Sequence, residues 1–246
     1  MARPLRIEFE GAFYHVTARG DEQKDIFKSG RDRQRFLEYL LAGIERYGIV
    51  VHCYCLMTNH YHLFLQTPLA NLSQAMRHLN GSYTTYFNVK RKHVGHLFQG
   101  RYRAIVVDAD EYAIQLSRYM HLNPVRARIV NAPEDYPWSS YRAYVGEVEP
   151  PPWLNRRLVL GNFCSNIAES EIRYKEFVED LAGKEYISPL NNTVASTVLG
   201  NEHFVETIME GCLEGKEERP DVPAVRGLHH RFNVEQINPT DHSEGQ

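Results

Sequence analysis

The chain is poor in cysteine, with Cys53, Cys55, Cys164 and Cys212 spread over 246 residues. That number and spacing exclude a small disulfide-stapled framework. Cys53 and Cys55 lie two apart on one stretch of strand character and point the same way, so they are expected as free thiols. No run approaches the ~18 consecutive apolar residues of a membrane span. Residues 1–6, Met-Ala-Arg-Pro-Leu-Arg, lack the apolar core of a secretory leader. No membrane partner is therefore expected, and the cytoplasm is the expected compartment. No internal repeat is visible, which argues against a solenoid. The last shortage is local: no acidic residue occurs between Glu45 and Asp108, while Arg46, Arg77, Lys90, Arg91, Lys92, Arg101 and Arg103 all fall there. A long acid-free stretch is the electrostatic footprint of a polyanion partner, although it is also what a solvated surface without acids would look like.

The net charge of −3 conceals a division. Residues 1–146 hold 19 Lys and Arg against 13 Asp and Glu, a balance of +6; residues 147–246 hold 9 against 18, a balance of −9. The acidic, proline-rich joint Glu147–Pro152 separates the two. The spacing predicts a domain over 1–146, an acidic and mainly helical region over 147–237, and a disordered tail over 238–246. An acidic segment from about residue 186 onward is expected near the basic surface, in competition with DNA, or else as a solvated tail or small docking module.

Within the first domain, β-branched and aromatic residues at 12–19 predict a strand ending at Gly20. Apolar residues at helical spacing predict a helix over 31–47, stopped by Gly48. Strands follow over 49–57 and 60–67, joined by Thr58-Asn59. A helix opens at Asn71 and runs into Lys90-Arg91-Lys92, a strand covers 101–107, and a helix over 111–122 is capped by Asp108 or Asp110 and limited by Pro124. The order strand-helix-strand-strand-helix-strand predicts an α+β fold: a ferredoxin-like split βαβ with a central antiparallel sheet, plus a mainly helical C-terminal appendage. In that appendage Trp153-Leu154, residues 169–182 and residues 194–214 have helical character.

Asn59-His60-Tyr61-His62 sits inside an apolar run. Residues two apart on a strand share a face, so His60 and His62 can hold one divalent metal while Tyr61, Leu63 and Leu65 enter a core. The same pair is also compatible with two partly buried polar residues, or with a structural zinc shared with Cys53 and Cys55 across the hairpin. Tyr119 shares a helix face with Gln115 and Asn123, each four residues away, and an amide there resembles a third metal ligand or a phosphate donor. Tyr112, Leu116, Tyr119 and Met120 would equally make a buried stripe. Tyr83 and Tyr86 are alternative tyrosines, set among apolar residues.

Five motifs in order then carry a resemblance: Phe13-Tyr14-His15-Val16-Thr17-Ala18-Arg19-Gly20, Met57-Thr58-Asn59-His60-Tyr61-His62-Leu63, His96-Leu97-Phe98-Gln99-Gly100-Arg101-Tyr102, Tyr119-Met120-His121-Leu122-Asn123-Pro124-Val125-Arg126-Ala127 and Tyr136-Pro137-Trp138-Ser139-Ser140-Tyr141. Over about residues 6–160 the chain resembles the single-tyrosine HUH transposases of the IS200-like kind, in particular the REP-associated tyrosine transposases. The resemblance implies His60 and His62 as metal ligands with Asn123 as the third, Tyr119 as nucleophile, and Mg²⁺ or Mn²⁺ as cofactor. It implies single-stranded or hairpin DNA as partner, namely repetitive extragenic palindromes, with association with the nucleoid; a homodimer is compatible with it. The implied reaction nicks and rejoins the strand through a 5′-phosphotyrosine. A phenol of pKa near ~10 is a poor nucleophile, so a metal polarising the phosphate would assist. Lys90, Arg91, Lys92, Arg101 and Arg103 are the expected phosphate contacts. Two other classes stand beside this: a DNA-binding regulator without chemistry, and a metal-dependent nuclease in which water attacks.

Overall fold

The computed structural model describes residues 7–213. Strand β1 (Ala12–Arg19) is followed by helix α1 (Gly30–Tyr47), strands β2 (Val50–Leu56) and β3 (His60–Thr67), helix α2 (Leu72–Arg91), strand β4 (Arg103–Val107) and helix α3 (Ala109–Arg126). Beyond them lie α4 (Tyr141–Tyr144), α5 (Arg157–Leu160), α6 (Ile167–Glu179), strand β5 (Val198–Leu199) and α7 (Glu202–Leu213). The sheet order is β2-β3-β1-β4-β5. Its first four strands pair antiparallel, which is the expected split βαβ.

Both faces of the sheet are covered. Tyr14, Val16, Tyr61, Leu63 and Leu65 are buried on the face under α1 and α2, where the Tyr61 ring meets Phe36 and its hydroxyl donates to Asn80 Oδ1 at 2.7 Å. The opposite face carries His15, Cys53, Cys55, His62 and Phe64, buried by α3 and the elements after it. This two-sided burial explains why the strands read as nearly continuous apolar runs. Gly48 closes α1 in the left-handed region at φ 66°, returning its N–H to Ile44 O; a Cβ there would be strained.

Several expectations need correction. Pro124 does not limit α3, which continues to Arg126. Proline lacks one N–H, and this near the helix end costs a single bond while Ala127 N still reaches Asn123 O at 2.9 Å. As a result Asn123 stays helical, one turn beyond Tyr119. Asp108 occupies the cap position of α3 without a capping bond from its side chain, which instead accepts from Asn201 Nδ2 at 3.3 Å. Trp153-Leu154 is not helical: Leu154 bridges to Val51 at the sheet margin. Residues 194–201 are not helical either. They hold β5, which pairs parallel to β4 through Val106↔Val198 and Val107↔Leu199, and so shields what would be an open edge. A two-residue strand is too short to leave a period in the sequence. Val198, Leu199, Val205, Tyr174 and Val178 belong to the same buried cluster as the sheet residues, so residues 186–213 are not a solvated tail. The expected disordered tail over 238–246 lies outside the described residues. Among the described residues no helix is long and apolar enough to cross a membrane.

Candidate active site under helix α3

The site forms where β1 ends and β3 begins. In the register Arg19 faces His60 and Thr17 faces both His62 on one side and Arg103 on the other. His60 and His62, on one face of β3, bring their ring centroids to 4.9 Å. Asn59 Oδ1 lies 2.6 Å from His60 Nδ1. An amide oxygen accepts, so Nδ1 carries the proton and Nε2 keeps the lone pair. The Nδ1 of His62 is engaged too, 2.9 Å from Nε2 of His15.

Helix α3 lays Tyr119 across these rings. Its ring meets His62 edge-on at 5.9 Å and His15 edge-on at 6.2 Å. The two alternative tyrosines lie elsewhere. Tyr83 is fully buried on the far face and Tyr86 donates to Asp32, which places both with the structural residues. The Arg126 guanidinium, two turns further along α3, sits 5.4 Å from the Tyr119 ring and 5.0 Å from that of Tyr186. It puts a fixed positive charge beside the phenol. An open groove of about 860 Å³ continues from there, lined by Arg126, Arg128, Lys184 and Tyr186 among others. Asn123 is half-buried on the same helix, and its Nδ2 is buried without a partner.

The electrostatics keep the imidazoles neutral. Burial, then the charge of Arg19, lowers His60 to about 4. Burial, then Arg103, lowers His15 to about 3. His62 is held well below the ordinary range by burial, then by His15, His60 and Arg19. Neutral rings with free nitrogens can bind a cation, and two arginines at the rim can attract a phosphate.

Residues 9–123 match the family model described as "Transposase IS200 like". Over these residues, β1 to the Asn123 turn of α3, the chain is similar to the IS200-like transposases. A solved REP-associated tyrosine transposase, bound to a REP hairpin, superposes with a TM-score of 0.53 at 14% identity, covering 63% of this chain and 92% of that one; at this identity the likeness speaks to the fold. A tRNA(His) guanylyltransferase from Saccharomyces cerevisiae reaches a TM-score of 0.32 at 8% identity, over 81% of this chain and 87% of that one. No curated protein sequence matches the chain.

The matched segment contains His15, His60, His62, Tyr119 and Asn123, and ends on Asn123. The zinc alternative does not assemble. Among the described residues no three His, Cys, Asp or Glu side chains form a metal-holding group. Cys53 Sγ lies 3.2 Å from His121 Nε2 and 3.4 Å from Ser140 Oγ, and Cys55 contacts Met57. Burial pushes the Cys53 thiol up to about 12 and raises Cys55 as well. Of the three expected ligands the structure brings His60 and His62 together, while Asn123 lies on α3 one turn beyond Tyr119.

The five basic residues expected to meet DNA divide by position. Lys90 Nζ and an Arg91 guanidinium nitrogen each lie 2.6 Å from the two oxygens of Asp32, which is fully buried. Tyr86 and the backbone N–H of Lys28 also donate to that carboxylate. Burial alone would raise the Asp32 pKa, but the bonds from Lys90 and Arg91 outweigh it and hold the group at about 2. These two cations therefore pin the end of α2 to the start of α1. Replacing both with alanine strands the Asp32 carboxylate without its cations and is expected to destabilise the fold, read as a lower urea midpoint at unchanged slope; an unchanged midpoint would leave the pair without a structural role. Lys92 and Arg101 are exposed. Arg101 lines a second groove of about 520 Å³ with Arg77, His96 and Phe98. Arg103 donates to Ser196 O at 3.3 Å and stands at the rim of the histidine site. The sequence reading missed His15, Asn59, Arg19 and Arg126. Asn59 is the immediate neighbour of His60, His15 and Arg19 belong to the first of the five motifs, and Arg126 is two helical turns from Tyr119.

Proposed function

We propose that this chain is a metal-dependent single-stranded DNA transesterase that nicks and rejoins DNA at palindromic hairpins, with Tyr119 as nucleophile. The observation that carries the reading is the edge-on contact of Tyr119 with His62 at 5.9 Å. His60, His62 and Asn123 would hold Mg²⁺ or Mn²⁺, whose chemistry is to neutralise charge on the scissile phosphate. Imidazole and amide donors suit Mn²⁺, while Mg²⁺ would draw more oxygens from water and phosphate. Arg19 and Arg103 orient the phosphate from the rim, and Arg126 steadies negative charge at the phenol oxygen. The Tyr119 oxygen bonds to phosphorus as the phosphorus–3′-oxygen bond breaks. The phenol loses a proton and the departing 3′-oxygen gains one. The resulting 5′-phosphotyrosine keeps the phosphodiester bond energy, so a second 3′-hydroxyl can reverse the step and join strands. The hairpin bound by the structural relative supports a hairpin substrate here.

Incubating the protein with Mn²⁺ and hairpin DNA labelled at its 3′ end should leave label on the protein after denaturation, with an unlabelled fragment ending in a 3′-hydroxyl. Cleavage without a protein-bound label would mean that water attacks; binding without cleavage would mean a regulator.

For the path of the DNA, Lys92, Arg101 and Arg103 are the members of the basic set whose charge is not committed to Asp32. Their triple alanine variant should flatten the salt dependence of single-strand binding, by about 0.7 in log–log slope for each phosphate no longer neutralised. The weakening should be equal for cognate hairpins and unrelated strands, because phosphate contacts position without specifying. An unaltered slope across a salt series would place the strand elsewhere; weakening confined to the hairpin would mean that these side chains read bases.

A further inference from the structure

His15 is buried at 2% exposure in the middle of β1. It shares the site face with His62, and the two rings lie edge to edge in nearly one plane, 5° apart, with centroids 5.2 Å apart. The bond between them runs from one ring nitrogen to another, His15 Nε2 to His62 Nδ1, at 2.9 Å. Two neutral imidazoles can share such a bond in only one way at a time. If His62 Nδ1 donates, His62 Nε2 keeps a lone pair and can ligate a cation. If His15 Nε2 donates, His62 must carry its own proton on Nε2 and cannot ligate through it. The buried Nδ1 of His15 has no partner in either case, so no third group fixes the His15 tautomer.

We infer that His15 is a positioning residue whose Nε2 accepts the Nδ1 proton of His62, setting the His62 tautomer and plane so that Nε2 is presented as a metal ligand. This rests on the reading of His60 and His62 as a cation site. It parallels the role of Asn59 at His60, and so gives the two ligands matching Nδ1–H acceptors, one an amide oxygen and one an imidazole nitrogen. The choice of imidazole has a geometric reason. His15 also forms part of the wall against which Tyr119 packs edge-on, and a flat ring can bond His62 through its edge and offer its face to Tyr119 in the same orientation. Partners that orient a ligating histidine typically change metal affinity by about 10–100-fold when removed.

Two variants separate positioning from packing. His15→Phe keeps an aromatic ring against Tyr119 but has no acceptor. His15→Gln places an amide oxygen near the position of Nε2 and restores one. Metal affinity is read by calorimetric titration with Mn²⁺, and the His62 tautomer by ¹⁵N-detected imidazole NMR on the metal-free protein. The wild type should show His62 protonated on Nδ1. His15→Phe should shift the tautomer toward Nε2–H and weaken Mn²⁺ binding by about 10-fold or more, with the fold intact by circular dichroism. His15→Gln should recover the Nδ1–H tautomer and most of the affinity. A wild-type His62 protonated on Nε2 would overturn the inference, as would wild-type Mn²⁺ affinity in the Phe variant, or a Gln variant that is folded yet as weak as Phe. The tautomer measurement needs neither metal nor DNA. A wild type that binds no Mn²⁺ would count against the cation site while the tautomer still decides the role of His15.

Discussion

Replacing Tyr119 with phenylalanine is expected to abolish the covalent protein–DNA adduct and to lower cleavage by roughly 10³-fold or more, while hairpin affinity changes by about 1 kcal/mol or less. The substitution removes one oxygen and keeps the ring that packs on His62 and His15. The wall of the site and the fold should therefore survive. Metal affinity should also survive, because the phenol is not among the side chains assigned to the cation. Gel separation after denaturation reads the adduct, and a binding titration on the same variant reads affinity. Full cleavage by the variant would remove Tyr119 from the chemistry. A retained adduct would direct attention to Tyr186, which lies across the Arg126 guanidinium from Tyr119, rather than to Tyr83 or Tyr86 on the other side of the sheet. Arg126→Ala gives a graded companion result: the adduct should form more slowly but still form.

The parts of this molecule that were legible in its sequence are those governed by local periodicity. The alternation of His60 and His62 with Tyr61 and Leu63 placed the histidines on one face of β3, and the pairing register agrees. The six-element order gave the sheet topology, because few chain paths connect two such units. What stayed illegible depends on distant contacts. Lys90 and Arg91 look like a phosphate-binding run, and only the approach of Asp32 across 58 and 59 residues shows them committed to a buried ion pair. β5 is two residues long and is a strand only because β4 offers an edge to it. Pro124 suggests a helix end, yet tertiary burial carries α3 onward past it. His15 stands in plain view inside the first of the five motifs. Its role depends on a diagonal neighbour in the adjacent strand, 47 residues away, and no spacing rule within one strand reports that.

Alanine at His60 or His62 is expected to lower Mn²⁺ affinity by more than about 100-fold, beyond the loss typical of an orienting partner, and to bring cleavage below detection. The two positions should differ in stability, and the difference is informative. His60 is half-buried and its proton is bound by its neighbour Asn59, so alanine there leaves a gap that water can enter. His62 is 6% exposed, bonded edge to edge with His15 and wedged against Tyr119. Alanine there opens a cavity beneath α3 and leaves His15 Nε2 without its partner, which is expected to cost about 2–4 kcal/mol. In the metal-free protein, then, His60→Ala should unfold near the wild-type urea midpoint and His62→Ala well below it. Saturating Mn²⁺ should raise the wild-type midpoint, because a ligand bound only by the folded state stabilises it, and should raise neither variant. Cys53→Ser and Cys55→Ser serve as controls on the same face and should retain the Mn²⁺-dependent rise, since their sulfurs contact His121, Ser140 and Met57 rather than the histidine pair. If Mn²⁺ stabilises His62→Ala as much as the wild type, the cation is held elsewhere and Tyr119 faces a histidine that only packs.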